Sequence, residues 1–306
     1  MNAKSSSGDR VSAVIVHYKT PEDTVASAAA VARDAPDAEI VVVDNASGDD
    51  VASRLAAEVG PRVRVRTETV NRGYGAACNR GARETSRPYL LFLNSDAVIG
   101  HGAVAALLAA LDADPGAACA GPQLVGSDGA AQASIRLLPT PWRIFCESSG
   151  LAFLTGGRRP FSGHTATRQD SGRARSVEAL MGAALLVRRS AFDGIGGFDE
   201  DFFLYAEETD LMERWRREGW RIRYVPEAKV LHAGGRSGGD RLFGQLHASL
   251  VRYVAKHHGR GAARLSAAVL DAGAALRYAA ACLTPGDRGR RRRVRYASAL
   301  KRRSAR

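Results

Sequence analysis

Short apolar runs rich in β-branched residues alternate with alanine-rich, helix-forming segments over the first half of the chain. The runs are VSAVIV at 11–16, EIVVVD at 39–44, VRVRT at 63–67 and YLLFLN at 89–94. Apolar strands separated by helices are typical of a parallel sheet covered by helices. The alternation therefore predicts an α/β fold with a Rossmann-like, mostly parallel central sheet flanked by helices.

The ends of these strands indicate where to look for a site, because open parallel sheets bind ligands beyond the carboxyl ends of their strands. The polar residues there are His17, Tyr18, Asp44, Asn45, Asn94, Ser95 and Asp96. Asp44 has two interpretations. It can cap the turn that follows it, or its carboxylate can accept the N3–H of uracil or thymine, a donor that adenine lacks.

The sequence Asn94-Ser95-Asp96 follows a hydrophobic strand, which favours a metal site over a plain turn. Mg²⁺ or Mn²⁺ is often held by one or two protein oxygens while a diphosphate supplies others. His232 ends another β-like run, in KVLHAGG. A lone histidine is more often structural, but this one can return to the same cleft as a metal ligand or a phosphate contact.

The segment AEETDL at 206–211 begins a predicted helix that ends near residue 218. Its apolar stripe consists of Leu211, Met212 and Trp215. At about 100° per residue, Glu208 lies close to the centre of this stripe, Glu207 to one side and Asp210 nearly opposite. A carboxylate that faces inward is costly without a task or a partner, so Glu208 is the candidate catalytic residue. Complementing the helix N-terminus accounts for Glu207.

Positive charge is concentrated at the carboxyl end of the chain. The net charge is +12, and residues 286–306 carry ten basic residues and one acid, which leaves +3 for the rest. A nearly neutral body with a basic tail is typical of an enzyme with an electrostatic anchor for an anionic membrane surface. A solvated, disordered tail is the alternative. No nucleic-acid recognition motif is present, so no nucleic-acid partner is predicted.

Cysteine use and the termini indicate the compartment. The four cysteines form no CxxC pair, which suits a reducing cytoplasm. The polar start MNAKSSSGDR predicts no signal peptide. No run of about 20 apolar residues is evident, and the segment 263–283 is expected to lie on a surface, not to span a membrane. We therefore predict a cytoplasmic protein, peripheral on the inner face of the cell membrane.

The predicted organisation is a catalytic domain followed by helices. A Gly/Arg-rich stretch at 156–175 is expected to be a mobile loop. The predicted parts are a disordered N-terminus at 1–10, a catalytic domain at 11–238 with a nucleotide-binding half at 11–100 and an acceptor half at 101–238, helices at 239–285 and the basic tail at 286–306.

Several of these segments together resemble the inverting family 2 glycosyltransferases of the GT-A fold, over about 230 residues and in the family's order. The matching pieces are VSAVIVHYKT, VVVDNASGDD, NRGYGAACNRG, LLFLNSDA, GAALLVRRSAFDGIGGFDEDFFLYAEETDLMERWRREGW and VPEAKVLHAGG. The pattern is most similar to bacterial rhamnosyltransferases that act on polyprenyl-diphosphate-linked sugars. These also share SIRLLPTPWR at 134–143 and a basic carboxyl-terminal helix.

The resemblance implies a nucleotide-sugar pocket. Asp44 would contact the pyrimidine, and His17, Tyr18, Asn71 and Gly73 would shape the nucleoside pocket. The favoured donor is dTDP-L-rhamnose, and the implied acceptor is a polyprenyl-diphosphate-linked sugar.

The resemblance also implies catalytic and metal-binding roles. Asp96 matches the last acid of the family's Asp-X-Asp motif, and Asn94 stands at its first acid, with Ser95 between them. His232 would complete the shell of Mg²⁺ or Mn²⁺. Glu208 matches the general base, where the family usually has Asp.

Acceptor-side positions are Gly182, Glu207 and Asp210. The alternatives are a UDP-hexose or galactofuranose donor within the same fold and, more remotely, a nucleotidyltransferase. The first strand is not followed by the Gly-rich, Lys-containing loop that a nucleotidyltransferase normally requires. A homodimer remains an open alternative.

Overall fold

The computed structural model describes residues 7–165, 172–234 and 242–301. The chain forms two compact units. Unit 1 comprises Met1–Arg136, Gln169–Phe203 and Glu207–Ser237, and unit 2 comprises Leu137–Arg168, Leu204–Ala206 and Gly238–Arg306. This division differs from the predicted one, because Leu137–Arg168 groups with the carboxyl-terminal helices and not with the acceptor half.

Unit 1 is built on a mixed sheet. The strands, in chain order, are β1 (Val11–His17), β2 (Glu39–Asp44), β3 (Val63–Thr67), β4 (Tyr89–Asn94), β5 (Ala97–Ile99), β6 (Ala117–Val125), β7 (Ile135–Arg136), β8 (Arg175–Val177), β9 (Ala179–Leu180), β10 (Ala184–Arg188) and β11 (Arg221–His232). Among the described residues, nine strands form one sheet in the order β3-β2-β1-β4-β10-β6-β11-β5, with β8 also paired to β11. Strands β7 and β9 form a separate antiparallel pair.

The four predicted apolar runs are the parallel strands β1 to β4. All seven residues of β1 are buried, as are the first five of β4. This burial explains why the runs of β1, β2 and β4 do not alternate with polar residues. The run VRVRT of β3, at the edge of the sheet, does alternate and is not buried. The α/β fold class is confirmed, but the sheet is less parallel than predicted, because β10, β5 and β8 pair antiparallel with their neighbours.

Helices cover the sheet of unit 1. They are α1 (Pro21–Asp34), α2 (Val51–Glu58), α3 (Tyr74–Arg83), α4 (Ala103–Asp112), α7 (Arg189–Gly194) and α8 (Glu207–Arg217). Helix α1 contacts β1, β2 and β5, and α4 contacts β6, β10 and β11. Helix α1 buries Ala28 and Ala30, and both helices agree with the predicted helical segments. The buried face of α4 consists of Ala103, Val104, Leu107, Leu108 and Leu111.

Unit 2 is helical. Its helices are α5 (Pro141–Ser148), α6 (Leu151–Leu154), α9 (Phe243–His258), α10 (Arg260–Cys282) and α11 (Gly286–Lys301). Helix α10 packs against α5, α9 and α11. The Phe243 and Tyr296 rings meet edge to face with centroids 5.7 Å apart, which ties α11 to α9. The disordered alternative for the tail is therefore wrong for residues 286–301, and residues 302–306 lie outside the described residues.

Two further expectations concern the N-terminus and a loop. Ser7–Arg10 forms a 3-10 turn, and Arg10 pairs with Asp112 at 2.6 Å. The predicted disorder is thus wrong at residues 7–10, while residues 1–6 lie outside the described part of the chain. The predicted mobile loop at 156–175 ends in β8, and its residues 166–171 are also outside the description.

Helix α10 corrects the prediction that no segment can span a membrane. Within the described residues, it is the one helix that is long and apolar enough by length and composition, and 28% of its most apolar window is buried in the fold. Length and composition alone do not decide between a span and a packed helix.

Candidate active site

The carboxyl ends of β1, β2 and β4 meet at one edge of the sheet. In the strand register, His17 lies opposite Asp44, and Val16 lies opposite Asn94. The structure therefore brings together the candidates that follow the first, second and fourth apolar runs. This is the arrangement expected at the ligand-binding edge of an α/β sheet.

Asp44 is almost fully buried, and its Oδ1 accepts the backbone N–H of Ser47 at 2.9 Å. The turn-capping interpretation therefore holds for this oxygen. Base recognition by the other oxygen stays a prediction.

His17 does not line a pocket directly. Its side chain is fully buried, with Nδ1 2.7 Å from Thr24 Oγ1 and Nε2 3.0 Å from Asp49 Oδ1. Both ring nitrogens are engaged, and the partner Asp49 is a residue that the sequence pattern did not single out. The Tyr18 side chain is half-buried at the same edge, with the Lys19 ammonium 5.3 Å from its ring centre.

Asn71 and Gly73 form a loop that is fixed by Asn45. Asn71 Oδ1 accepts the Asn45 amide and the Gly73 N–H, both at 2.9 Å, and the Asn45 amide also donates to the Gly73 carbonyl. Gly73 has φ +96, and a Cβ there would lie 2.1 Å from the Phe203 carbonyl oxygen. Only glycine fits this position. Asn45 is a strand-end residue that the sequence pattern located without giving it a role.

The pairing of β5 with β11 brings Asp96 and His232 together. His232 lies opposite Ala97 in the register, and the Ala233 N–H donates to the Asp96 carbonyl. The His232 Nε2 lies 3.6 Å from Asp96 Oδ1, and both side chains are nearly buried. Ser95 Oγ accepts the Thr20 hydroxyl at 2.9 Å.

Gln132 fixes the proton on the His232 ring. Its Nε2 donates to the His232 carbonyl at 2.9 Å, which directs its Oε1 to the ring Nδ1 at 3.0 Å. The Nδ1 must then carry the proton, and Nε2 presents a lone pair to the Asp96 carboxylate. Burial lowers the pKa of His232, although Asp96 opposes this. Two electron-pair donors therefore face each other.

This arrangement suits a divalent cation. A histidine that binds a metal through one ring nitrogen usually donates the N–H of the other ring nitrogen to an oxygen atom, which fixes the orientation of the ring. The described residues contain no group of three or more histidine, cysteine or acidic side chains that could hold a metal. The protein would thus supply Asp96 and His232 and leave further positions to a diphosphate or water, as Mg²⁺ and Mn²⁺ accept.

We expect Gln132→Leu to weaken Mn²⁺ binding in the presence of dTDP by about 10- to 100-fold, the usual effect of removing the partner of a metal-binding histidine. Electron paramagnetic resonance of free Mn²⁺ measures this without turnover. Gln132→Glu keeps an acceptor for Nδ1–H and should bind Mn²⁺ more tightly than Gln132→Leu. Wild-type affinity in Gln132→Leu would show that Gln132 does not orient the histidine.

Glu208 lies in the first turn of α8, beside Gly182. A Cβ at Gly182 would lie 3.0 Å from the Glu208 Cγ, so glycine leaves room for this side chain. The Glu208 Oε2 is buried and has no hydrogen-bond partner within the described residues. Burial raises the pKa of Glu208, while backbone N–H groups at the helix start and the Arg136 guanidinium oppose the increase. A half-buried carboxylate with one buried, unsatisfied oxygen is suited to accept a proton.

Two other acids of α8, Glu207 and Asp210, are not oriented as predicted. Glu207 is buried, and burial together with the charge of Glu208 raises its pKa well above its usual range. Asp210 is fully buried and pairs with Arg214 at 2.8 Å, and Arg214 also donates to the Ile195 and Gly197 carbonyls. Asp210 therefore holds α8 to the preceding loop. The predicted outward position fails because α8 is packed on several sides, not along one stripe.

A family model now identifies this architecture. The model for glycosyl transferase family 2 matches residues 12–194 of the chain. The chain belongs to glycosyl transferase family 2. The matched region includes the strand-end residues from His17 to Asp96 and Gly182, whereas Glu208 and His232 lie beyond it.

This family 2 glycosyltransferase has a similar relative in Mycobacterium tuberculosis. The relative is an N-acetylglucosaminyl-diphospho-decaprenol L-rhamnosyltransferase, 34% identical over 72% of this chain and 75% of its own. The resemblance to family 2 glycosyltransferases, and to rhamnosyltransferases within them, is thereby confirmed.

Solved structures support the fold of this glycosyltransferase. One is a mannosyltransferase from Pyrobaculum calidifontis in complex with GDP-Man and Mn²⁺, with a TM-score of 0.60 at 19% identity over 95% of this chain and 85% of that chain. Another is GalNAc-T7 with UDP, GalNAc and Mn²⁺, with a TM-score of 0.57 at 17% identity over 94% of this chain and 54% of that chain. The GT-A fold is therefore shown.

Proposed function

We propose that this glycosyltransferase transfers L-rhamnose from dTDP-L-rhamnose to a polyprenyl-diphosphate-linked saccharide, with inversion. The observation that carries the proposal is the pairing of Asp96 with His232, whose Oδ1 and Nε2 lie 3.6 Å apart, together with the buried Glu208 Oε2, which has no hydrogen-bond partner within the described residues. The Arg136 charge lowers the pKa of both Glu208 and His232. The mycobacterial relative, which by its name acts on a decaprenol-linked sugar, supports the choice of sugar and acceptor.

Glu208 is the base in this proposal. Its carboxylate accepts the proton of the acceptor hydroxyl while that oxygen attacks the anomeric carbon and the bond to the nucleoside diphosphate breaks. A single displacement inverts the anomeric configuration, and its transition state is expected to be oxocarbenium-like. Gly182 and Glu207, beside Glu208, are the proposed acceptor side. Asp210 is not included, because its carboxylate is committed to Arg214.

Asp96 and His232 are the proposed metal ligands. Mg²⁺ or Mn²⁺ bound there would stabilise the negative charge of the departing diphosphate. Arg136 carries a positive charge in the same part of unit 1 and contributes in the same direction. Asn94 contributes an amide oxygen where the family pattern has a carboxylate, so the protein ligands have one negative charge less.

The proposed location is the cytoplasmic face of the cell membrane, where a polyprenyl-linked acceptor is available. The support is the acceptor of the mycobacterial relative together with the basic carboxyl-terminal helix α11.

The donor is tested by thermal shift. We expect dTDP-L-rhamnose to raise the melting temperature more than UDP-glucose, UDP-galactofuranose, GDP-mannose or ADP-glucose, because a ligand stabilises the fold according to its concentration and affinity. If only a UDP sugar stabilises the protein, the alternative donor class is correct, although the family remains.

The substitution Asp44→Asn tests base recognition separately from turn capping. Asparagine keeps an Oδ1 for the Ser47 N–H but replaces the second carboxylate oxygen by an amide donor. Loss of a hydrogen bond to a charged group should weaken dTDP binding by about 10- to 100-fold. Unchanged dTDP affinity in Asp44→Asn would leave Asp44 as a turn cap only.

A further inference from the structure

The positive charge belongs to unit 2 as a whole. Counted over the sequence, the segments of unit 1 have 24 basic and 28 acidic residues, a net charge of −4, and those of unit 2 have 20 basic and 4 acidic residues, a net charge of +16. Residues 286–306 account for +9 of the latter. The prediction of a nearly neutral body with a basic tail is therefore incomplete, since the rest of unit 2 contributes +7.

Unit 2 also exposes a cluster of large apolar side chains on and after α5 and α6. The exposed fractions are 47% for Trp142, 41% for Phe145, 89% for Phe153 and 80% for Leu154. The Trp142 ring stacks on Phe145, with centroids 5.5 Å apart, and lies 6.2 Å from Phe161. We call these five residues the aromatic face.

The aromatic face is held outward by the local structure. Ile144 and Cys146 on α5 are fully buried, whereas Trp142 and Phe145 on the same helix are exposed. The Trp142 indole N–H donates to the Pro160 carbonyl at 2.9 Å. Its polar atom is therefore satisfied, and the remaining ring surface is apolar.

Basic residues adjoin this face. Arg158 and Arg159 follow α6 directly and are exposed. Exposed aromatic and leucine side chains beside arginine are the composition of segments that lie at a membrane interface, where the rings enter the headgroup region and the guanidinium groups meet anionic lipid. A symmetric contact through this face would bring the same arginines of two copies of the chain close together. It would also bring together two copies of unit 2, each with a net charge of +16, and the repulsion between them opposes such a contact.

We propose that the aromatic face inserts into the interfacial layer of an anionic membrane. The basic residues of unit 2 supply attraction, and Phe153 and Leu154 supply the apolar contact. The inference extends the membrane location proposed above, on which it rests, and assigns the insertion to α5 and α6 where the sequence pattern suggested only α10 and the tail. Lipid binding is tested without donor or acceptor, so its failure leaves the transferase reaction untouched.

The test compares flotation of the full-length protein on two kinds of vesicle. One is phosphatidylcholine with about 30% phosphatidylglycerol, which is anionic, and the other is pure phosphatidylcholine. We expect the double substitution Phe153→Ser and Leu154→Ser to lower partitioning onto anionic vesicles by more than about tenfold, since two large apolar contacts are lost. Val70→Ser is the matched control, because Val70 is 59% exposed on unit 1. It should bind like the wild type.

Two further measurements separate insertion from electrostatic attraction. Of the three tryptophans, Trp142 is exposed, Trp220 is half-buried and Trp215 is fully buried. In a Trp220→Phe background, the Trp142 emission should therefore move to shorter wavelength on anionic vesicles. Substituting Arg288, Arg291 and Arg292 by Gln on α11 removes positive charge and should lower binding at low salt. The difference from the wild type should shrink as salt is raised, because salt screens the electrostatic attraction.

The proposal is overturned if the Phe153 and Leu154 double variant partitions onto anionic vesicles like the wild type and its Trp142 emission shifts there as in the wild type. Loss of binding with Leu276→Ser on α10 and not with the double variant would assign the membrane contact to α10 instead. Sedimentation of the wild type as a dimer that the double variant converts to a monomer would identify the face as a contact between copies and would also overturn it.

Discussion

The substitution Glu208→Gln is expected to lower kcat by about 10²- to 10⁴-fold, the usual contribution of a general base, and to change donor affinity by less than about twofold. Glutamine keeps the shape of the side chain beside Gly182 but cannot accept the hydroxyl proton. Steady-state kinetics with a soluble acceptor analogue and isothermal calorimetry with the donor nucleotide measure the two quantities separately.

The pH dependence gives an independent test of the same residue. Glu208 must be ionised to act as a base, and burial raises its pKa above that of an ordinary glutamate. The activity should therefore fall as the pH decreases through this raised value. Arg136 lowers the pKa of Glu208, so Arg136→Gln should move the acidic limb of the kcat/KM profile to higher pH. If the acidic limb does not move in Arg136→Gln, the group that titrates in the profile is not Glu208.

Glu207→Gln is the matched control on the same helix turn. Burial and the Glu208 charge raise the pKa of Glu207 well above its usual range, which favours its neutral form, and glutamine is a neutral side chain of similar size. We expect its kcat to stay within about tenfold of the wild type. Equal losses in the two variants, with Glu208→Gln still above about a tenth of wild-type activity, would contradict the assignment of the base.

The sheet edge could be predicted from the sequence because its residues follow continuous apolar runs. β1, β2 and β4 are buried strands in parallel register, and their last residues are the strand-end candidates. Asp96 and His232 are 136 positions apart in the sequence. The strand-end pattern offered a shared cleft for His232 only as an alternative to a structural role, and the resemblance implied the shared metal. The antiparallel pairing of β5 with β11 that joins them leaves no periodic signal in a strand as short as Ala97–Ile99.

Other features needed three-dimensional information. A helical wheel assumes one buried stripe, but α8 buries Glu207, Asp210 and Trp215 on different sides. Gln132 has no motif of its own, and its role follows only from two hydrogen bonds to His232. The net charge of unit 2 could not be read along the chain either, because the unit combines Leu137–Arg168 with the carboxyl-terminal helices.

Removal of the Asp96 carboxylate should produce the second large effect. We expect Asp96→Ala to lower kcat by about 10³-fold, which corresponds to the several kcal/mol of charge stabilisation that a bound cation provides. It should also abolish the Mn²⁺-dependent part of dTDP affinity, measured by calorimetry with and without EDTA. The physical reason is that His232 Nε2 alone offers the metal a neutral ligand, whereas Asp96 supplies the negative charge 3.6 Å away.

Asn94→Asp is the control with the opposite expected sign. It adds a second carboxylate at the first position of the acidic motif, on a half-buried side chain at the end of β4. A further anionic oxygen ligand should tighten Mn²⁺ binding in the presence of dTDP by about tenfold, because hard cations prefer charged oxygen ligands. Weaker Mn²⁺ binding in Asp96→Ala together with tighter Mn²⁺ binding in Asn94→Asp would locate the cation at the end of β4, where both residues lie. Full activity of the wild type in excess EDTA would instead exclude a catalytic metal, and Asp96 would then have to act as a ribose contact or a turn residue.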